Sequence, residues 1–198
     1  MTNLTEIVCV IDKSGSMGPR KADAIGGFNQ FLSEQKKLPD EAYLTLVLFD
    51  TNHVVMNEST PIKEVRPLDE STYCPYGCTA LLDAVGRTID SIGARLDKLQ
   101  ENQKPSKVLV VILTDGEENS SHQFSKQQIK DKIEHQKNTY SWCFMYLGAN
   151  QDAFAEAGSI GIPVMNTFQV NLSSAEGVRD SYSAMSRATA SYRVTGTI

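Results

Sequence analysis

Two kinds of oxygen donor gather in two distant stretches of the sequence. Val8-Cys9-Val10-Ile11 runs directly into Asp12, and hydroxyls follow at alternate positions, Ser14 and Ser16, around Gly15. Far along the chain, the apolar run 108–113 leads into Thr114-Asp115-Gly116. A carboxylate at the end of an apolar run, with hydroxyls folded back toward it over a tight turn, suits a hard divalent cation. Such ions take oxygen ligands, and Mg2+ keeps several of its waters. Two carboxylates with neutral hydroxyls neutralise the ion only in part and leave coordination positions open. The donor set therefore favours Mg2+, with Mn2+ or Ca2+ also compatible, over zinc with its nitrogen and sulfur ligands.

These carboxylates meet only if the elements carrying them are neighbours. Short β-rich runs occur at 7–11, 43–49, 108–113 and 142–147, with a weaker one at 163–168. Helix-period segments separate them. Leu82, Val85, Ile89, Ile92, Leu96 and Leu99 recur three and four apart and share one helical face. Ile25, Phe28 and Leu32 form a similar stripe after Pro19, a residue suited to a first helical turn. Ser125 with Gln128, and Ser173 with Glu176, read as capping boxes opening two further helices, the last carrying Val178, Tyr182, Met185 and Tyr192.

Strands apolar on both faces, alternating with amphipathic helices, predict a mostly parallel sheet covered on both sides. Between Phe49 and Val54 only a few polar residues intervene, too few for a crossover helix. That connection is a hairpin, and it makes the strand near Val54 antiparallel and at an edge. The expected fold is a doubly wound α/β sheet of six strands with one antiparallel edge strand and helices on both faces. Nothing divides the 198 residues into two domains. One domain over 1–198 is expected, with its core at about 5–170 and a C-terminal helix and tail at about 173–198. In open sheets of this kind, ligands bind beyond the carboxyl ends of the strands, where the strand order reverses. Asp12 and Asp115 both lie at such ends.

Asp12-x-Ser14-x-Ser16, then Thr79 in GCTALLDAV, then Asp115 in ILTDG, resembles the metal-ion-dependent adhesion site (MIDAS) of von Willebrand factor A (vWA) domains. The resemblance covers roughly residues 5–170 and is similar to short intracellular types from bacteria and phages. It implies that Ser14 and Ser16 coordinate the cation directly. Thr79 joins them directly or through water, and Asp12 and Asp115 hold the ion directly or through bridging waters. It further implies an open position for a Glu or Asp from a partner protein. The loop carrying Thr79, Tyr73-Cys74-Pro75-Tyr76-Gly77-Cys78, has a composition of its own.

Several other readings weigh against this one. Asp12 alone could cap the turn after it, and Thr79 could cap a helix beginning at Ala80. Glu117 and Glu118 read as a solvated loop that deepens the negative field, and Asn150 and Asp152 as helix-capping residues near the same rim. Trp142 and the helix stripes read as core. Cys9 and Cys143 sit in strands as small core hydrophobes. Cys74 and Cys78 would need two more ligands to hold zinc, and His53, His122 and His135 show no matching spacing.

An enzyme alternative is an Mg2+-dependent phosphohydrolase or phosphotransferase using Asp12 as nucleophile. Ser14, however, cannot supply the second acid that dehalogenase-like phosphatases place there. No histidine neighbours Ser14 or Ser16, and the turn lacks a GxGxxG phosphate loop. A non-catalytic protein-binding module is the expectation.

The formal net charge of −5 gives no basic surface for nucleic acid. No apolar run is long enough to span a bilayer, and the first residues lack the features of a signal peptide. The expected location is the cytoplasm.

Overall fold

The computed structural model describes residues 4–149, 152–171 and 174–198. Strand β1 (Thr5–Asp12) is buried along its whole length. It lies inside a six-stranded sheet of order β3-β2-β1-β4-β5-β6, formed with β2 (Ala42–Phe49), β3 (His53–Pro61), β4 (Lys107–Thr114), β5 (Cys143–Gly148) and β6 (Thr167–Gln169). All neighbours run parallel except β2 and β3. That antiparallel pair is the hairpin expected from the short polar connection, and β3 is an edge strand with irregular register.

Helices α1 (Lys21–Lys36), α2 (Leu81–Asp97), α3 (Lys126–Tyr140), α4 (Ala153–Ser159) and α5 (Ala175–Thr195) cover both faces. Alternation along β1 assigns its side chains to two cores. Ile7, Cys9 and Ile11 pack with Phe28, Phe31 and Leu32 of α1 and with Val178, Tyr182 and Met185 of α5. Val8 and Val10 face the other way, against Val85, Ile89 and Ile92 of α2 and Ile129 and Ile133 of α3. Each such fully buried aliphatic side chain contributes about 1.5–3 kcal/mol. Helix α5 is therefore an integral wall of the first core. Gly27 lets it approach closely, since a Cβ there would stand 2.2 Å from the Tyr182 ring.

The Ser125–Gln128 capping box is present, with the Ser125 N–H donating to Gln128 Oε1 at 2.8 Å. Other expectations shift. Pro19 lies in a 3-10 segment, Gly15–Arg20, ahead of α1. The weak strand narrows to Thr167–Gln169, because 164–166 form a 3-10 turn. Leu99 lies past the end of α2 yet still packs on the second core. Ser173 and Asn150 lie outside the described residues, and Ser174 caps α5 by accepting from the Gly177 N–H. Cys143 is only half-buried and accepts from the Asn166 side chain. Cys74 and Cys78 are free and exposed. Among the described residues, no helix is long and apolar enough to cross a membrane.

Candidate metal site

The chain leaves β1 toward β2 on one side and returns after α2 to β4 on the other. The strand order thus reverses between β1 and β4. Ile11 pairs with Leu113, which brings the next residues, Asp12 and Thr114, level at the carboxyl rim. Asp12 is fully buried there. Its Oδ1 accepts the Ser14 N–H at 2.7 Å, and its Oδ2 accepts the Thr114 hydroxyl at 2.6 Å. The turn-capping reading of Asp12 is thus half of its role.

A line of hydroxyls leads outward from this carboxylate. Ser14 Oγ and Ser16 Oγ are 3.0 Å apart, and Ser16 Oγ donates to Asp115 Oδ1 at 2.7 Å. Ser14 is buried and Ser16 exposed, so the line runs from the protein interior to solvent. Thr79 approaches from a third loop. A Cβ on Gly116 would stand 3.1 Å from Thr79 Oγ1 and 3.9 Å from Ser16 Oγ, so both hydroxyls border the space that this glycine leaves. All five residues singled out in the sequence therefore converge on one rim.

Backbone bonds hold the Thr79 loop against the Asp12 turn. Gly15 N–H donates to Gly77 O at 3.0 Å, and Tyr76 N–H donates to Lys13 O at 2.9 Å. Gly77 adopts φ +74, and a side chain there would also strike Thr51 Oγ1, so glycine is required. The Tyr73 hydroxyl donates to Asp12 O at 2.6 Å. Lys13 pairs with the buried Asp50, whose carbonyl accepts from Ala80 N–H.

Sequence reading missed the far side of this clamp. Thr79 does not cap α2, and the N-cap position, Ala80, has no side-chain oxygen to offer. Glu118 supplies the cap from the loop after Asp115. Its Oε2 accepts the Leu82 N–H at 2.8 Å, and its Oε1 accepts the Ser120 and Ser121 N–H groups. Reciprocally, Asp83 of α2 accepts the N–H groups of His122, Gln123 and Phe124. Asn119 Oδ1 accepts the Thr79 N–H at 2.9 Å, and Thr79 O accepts the Asn119 N–H. An acid followed by serines, Glu118 before Ser120 and Ser121, is the only local signal of this cap. Asp152 stands at the N-cap of α4 but makes no side-chain cap bond.

Burial pushes Asp12 up to about 6, although hydrogen bonds from Thr114 and Ser14 pull the other way. Burial also raises Asp115, opposed by the Ser16 hydroxyl. Two carboxylates made uncomfortable by burial are the donors that a cation would relieve. Among the described residues, no three His, Cys, Asp or Glu side chains cluster as metal ligands. Any ion held at the rim therefore depends on the Ser and Thr hydroxyls, which suits Mg2+ better than zinc. The gap beside Gly116, bordered by two of those hydroxyls, fits the same requirement.

No family model and no curated sequence matches the chain. Solved structures do. The vWF domain of the type V pili tip protein Mfa5 from Porphyromonas gingivalis aligns with TM-score 0.67, covering 100% of this chain and 99% of that one at 11% identity. The chain has the von Willebrand factor A fold. A von Willebrand factor type A protein from Catenulispora acidiphila aligns with TM-score 0.59 at 15% identity, over 93% of this chain and 42% of that one. Proximal thread matrix protein 1 from the mussel byssus, solved with a zinc-occupied MIDAS motif, shares the vWA fold with TM-score 0.59 at 16% identity. That match covers 92% of this chain and 46% of the mussel chain. The present chain thus spans less than half of the mussel and Catenulispora proteins.

Proposed function

We propose that the chain is a non-catalytic binding module. In this reading Asp12, Ser14, Ser16, Thr79 and Asp115 hold a divalent cation, Mg2+ by preference, at the switch point of the sheet. Once bound, the cation would supply an open coordination position that attracts a carboxylate oxygen of a partner protein. The observation that carries the reading is the line of oxygens from buried Asp12 through Ser14 and Ser16 to Asp115, with Thr79 beside it across Gly116. The mussel protein's zinc-occupied MIDAS supports metal binding on this fold, and a pilus adhesin, SpaC from Lactobacillus rhamnosus GG, shares the fold with TM-score 0.64.

The chain's own residues do the positioning. Asp12 is held by Ser14 and Thr114, so its carboxylate is oriented before anything binds. The exposed Ser16 leaves the solvent side of the site accessible. A buried Asp12 with both oxygens in hydrogen bonds is poorly placed to attack a phosphorus atom, which argues against the phosphohydrolase alternative.

Affinity capture with the tagged chain, in Mg2+ and again in EDTA, tests the proposal. A partner retained in Mg2+, released by EDTA and lost with Asp12→Asn supports it. Retention indifferent to both changes contradicts it. So does phosphate release from phosphomonoesters that vanishes with Asp12→Asn.

A further inference from the structure

At the opposite end of the sheet, a cavity of about 550 Å³ opens between α2 and α3. Its floor is apolar, formed by Ile89, Leu96, Val108 and Trp142, all buried. Trp142 is 5% exposed and stacks on Phe144 with ring centroids 6.3 Å apart. Tyr140, 55% exposed, stands at the wall edge-on to His135. Gly93 and Ala94 line the α2 side, and a Cβ on Gly93 would meet only the Gln136 amide, at 3.8 Å. Small residues on the helix thus keep the space open. The volume falls within the range of small-molecule sites.

Carboxylates outnumber lysines around this cavity. Both α2 and α3 end beside it, so the negative ends of two helix dipoles converge there. Three carboxylates, Asp90, Asp97 and Glu101, also line it, against Lys104 as the lysine among the lining residues. Lys104 is turned to Glu101 at 2.6 Å, and Lys132 pairs with Asp90. Lys104 also feels the Asp97 charge, and Asp97 is the carboxylate of the three without a close ion pair of its own among the described residues. An anionic ligand would meet repulsion from carboxylates and helix ends alike. A cation would be attracted by both, with an aromatic floor for its hydrocarbon part.

We propose that this cavity is a second binding site, separate from the metal rim, for a small organic cation: an ammonium or guanidinium group on an apolar body. Asp97 receives the charge, and Trp142 and Leu96 receive the hydrocarbon. The concave shape selects a free small molecule over a flat protein surface.

Trp142 is the single tryptophan in the chain, so its fluorescence reports on this site directly. The full chain would be titrated in EDTA with phenethylamine, agmatine and spermidine. Neutral and carboxylate analogues of the same shape, and a lysine-containing peptide, would be titrated alongside. Saturable fluorescence changes and a raised Tm with the amines, at least about tenfold tighter than with the neutral analogues, are expected. Asp97→Asn, on an exposed helix end, should weaken that binding about tenfold. Ala94→Phe should block it, and Asp12→Asn should leave it unchanged. No response to any amine at millimolar concentration would overturn the proposal. It would equally be overturned by equal binding of neutral analogues, by binding of the peptide alone, or by insensitivity to Asp97→Asn.

Discussion

Thr114 Oγ1 donates to Asp12 Oδ2 across 2.6 Å, although 102 positions separate the two residues. This bond ties the ends of β1 and β4 together where the sheet changes direction, and it orients a carboxylate that burial has made costly to ionise. Thr114→Val keeps the side-chain shape and removes the donor, leaving a buried anion oxygen unpaired. We expect a loss of about 1–3 kcal/mol at pH 7, measured by urea denaturation in EDTA. The loss should shrink at pH 5, where Asp12 is largely protonated.

Asp12 itself sets a pH dependence. Its carboxyl titrates near 6 in the folded chain against an ordinary value of 3.8. Between these values the folded state holds the proton more tightly than the unfolded state. Stability therefore falls as pH rises from about 4 to about 6 and stays reduced above that. Asp12→Asn should remove this slope and, in EDTA at pH 7.5, make the protein more stable by about 2 kcal/mol. The same variant should lose the thermal stabilisation that Mg2+ gives the wild type. Denaturation curves at pH 4 and pH 7.5, with and without Mg2+, read both effects.

Gly116 separates stability from binding. An alanine Cβ would press on Thr79 Oγ1 at 3.1 Å, a contact that a small shift of the hydroxyl relieves. Gly116→Ala should therefore change the Tm in EDTA little, while calorimetric titration with Mg2+ shows affinity lowered about tenfold.

Glu118 anchors the loop of Asp115 to the first turn of α2 through Leu82 and Ser121. Glu118→Ala frees those N–H groups and should cost about 1–2 kcal/mol by denaturant titration. Hydrogen exchange should rise at both Leu82 and Ser121, because one side chain serves both. Glu118→Gln keeps the acceptor oxygen and should recover part of the loss.

The sheet was legible because Val8-Cys9-Val10-Ile11 and the run at 108–113 are apolar on both faces, as buried parallel strands must be. The hairpin followed from the short polar stretch between Phe49 and Val54. The meeting of Asp12 and Asp115 was legible from their places at strand ends, that of Ser14 and Ser16 from the turn around Gly15, and that of Thr79 only from the resemblance to the MIDAS pattern. The supporting bonds were not. Glu118 accepts from Leu82, 36 positions earlier, and Asp83 binds a loop about 40 positions later. Capping rules look only a few residues along the chain, so pairs of this span leave no local signature. Trp142 was read as core, and it is core on one side. Its other exposure, to the cavity between α2 and α3, depends on how two helices end, which periodicity does not encode.

Crystals of the chain grown or soaked with Mn2+, which reports by anomalous scattering, test the central claim most directly. We predict one strong peak at the rim between β1 and β4, ligated by Ser14 Oγ and Ser16 Oγ, with Asp12, Thr79 and Asp115 contacting it directly or through water. A rim without a peak at millimolar Mn2+, or a peak held by other residues, would contradict the account.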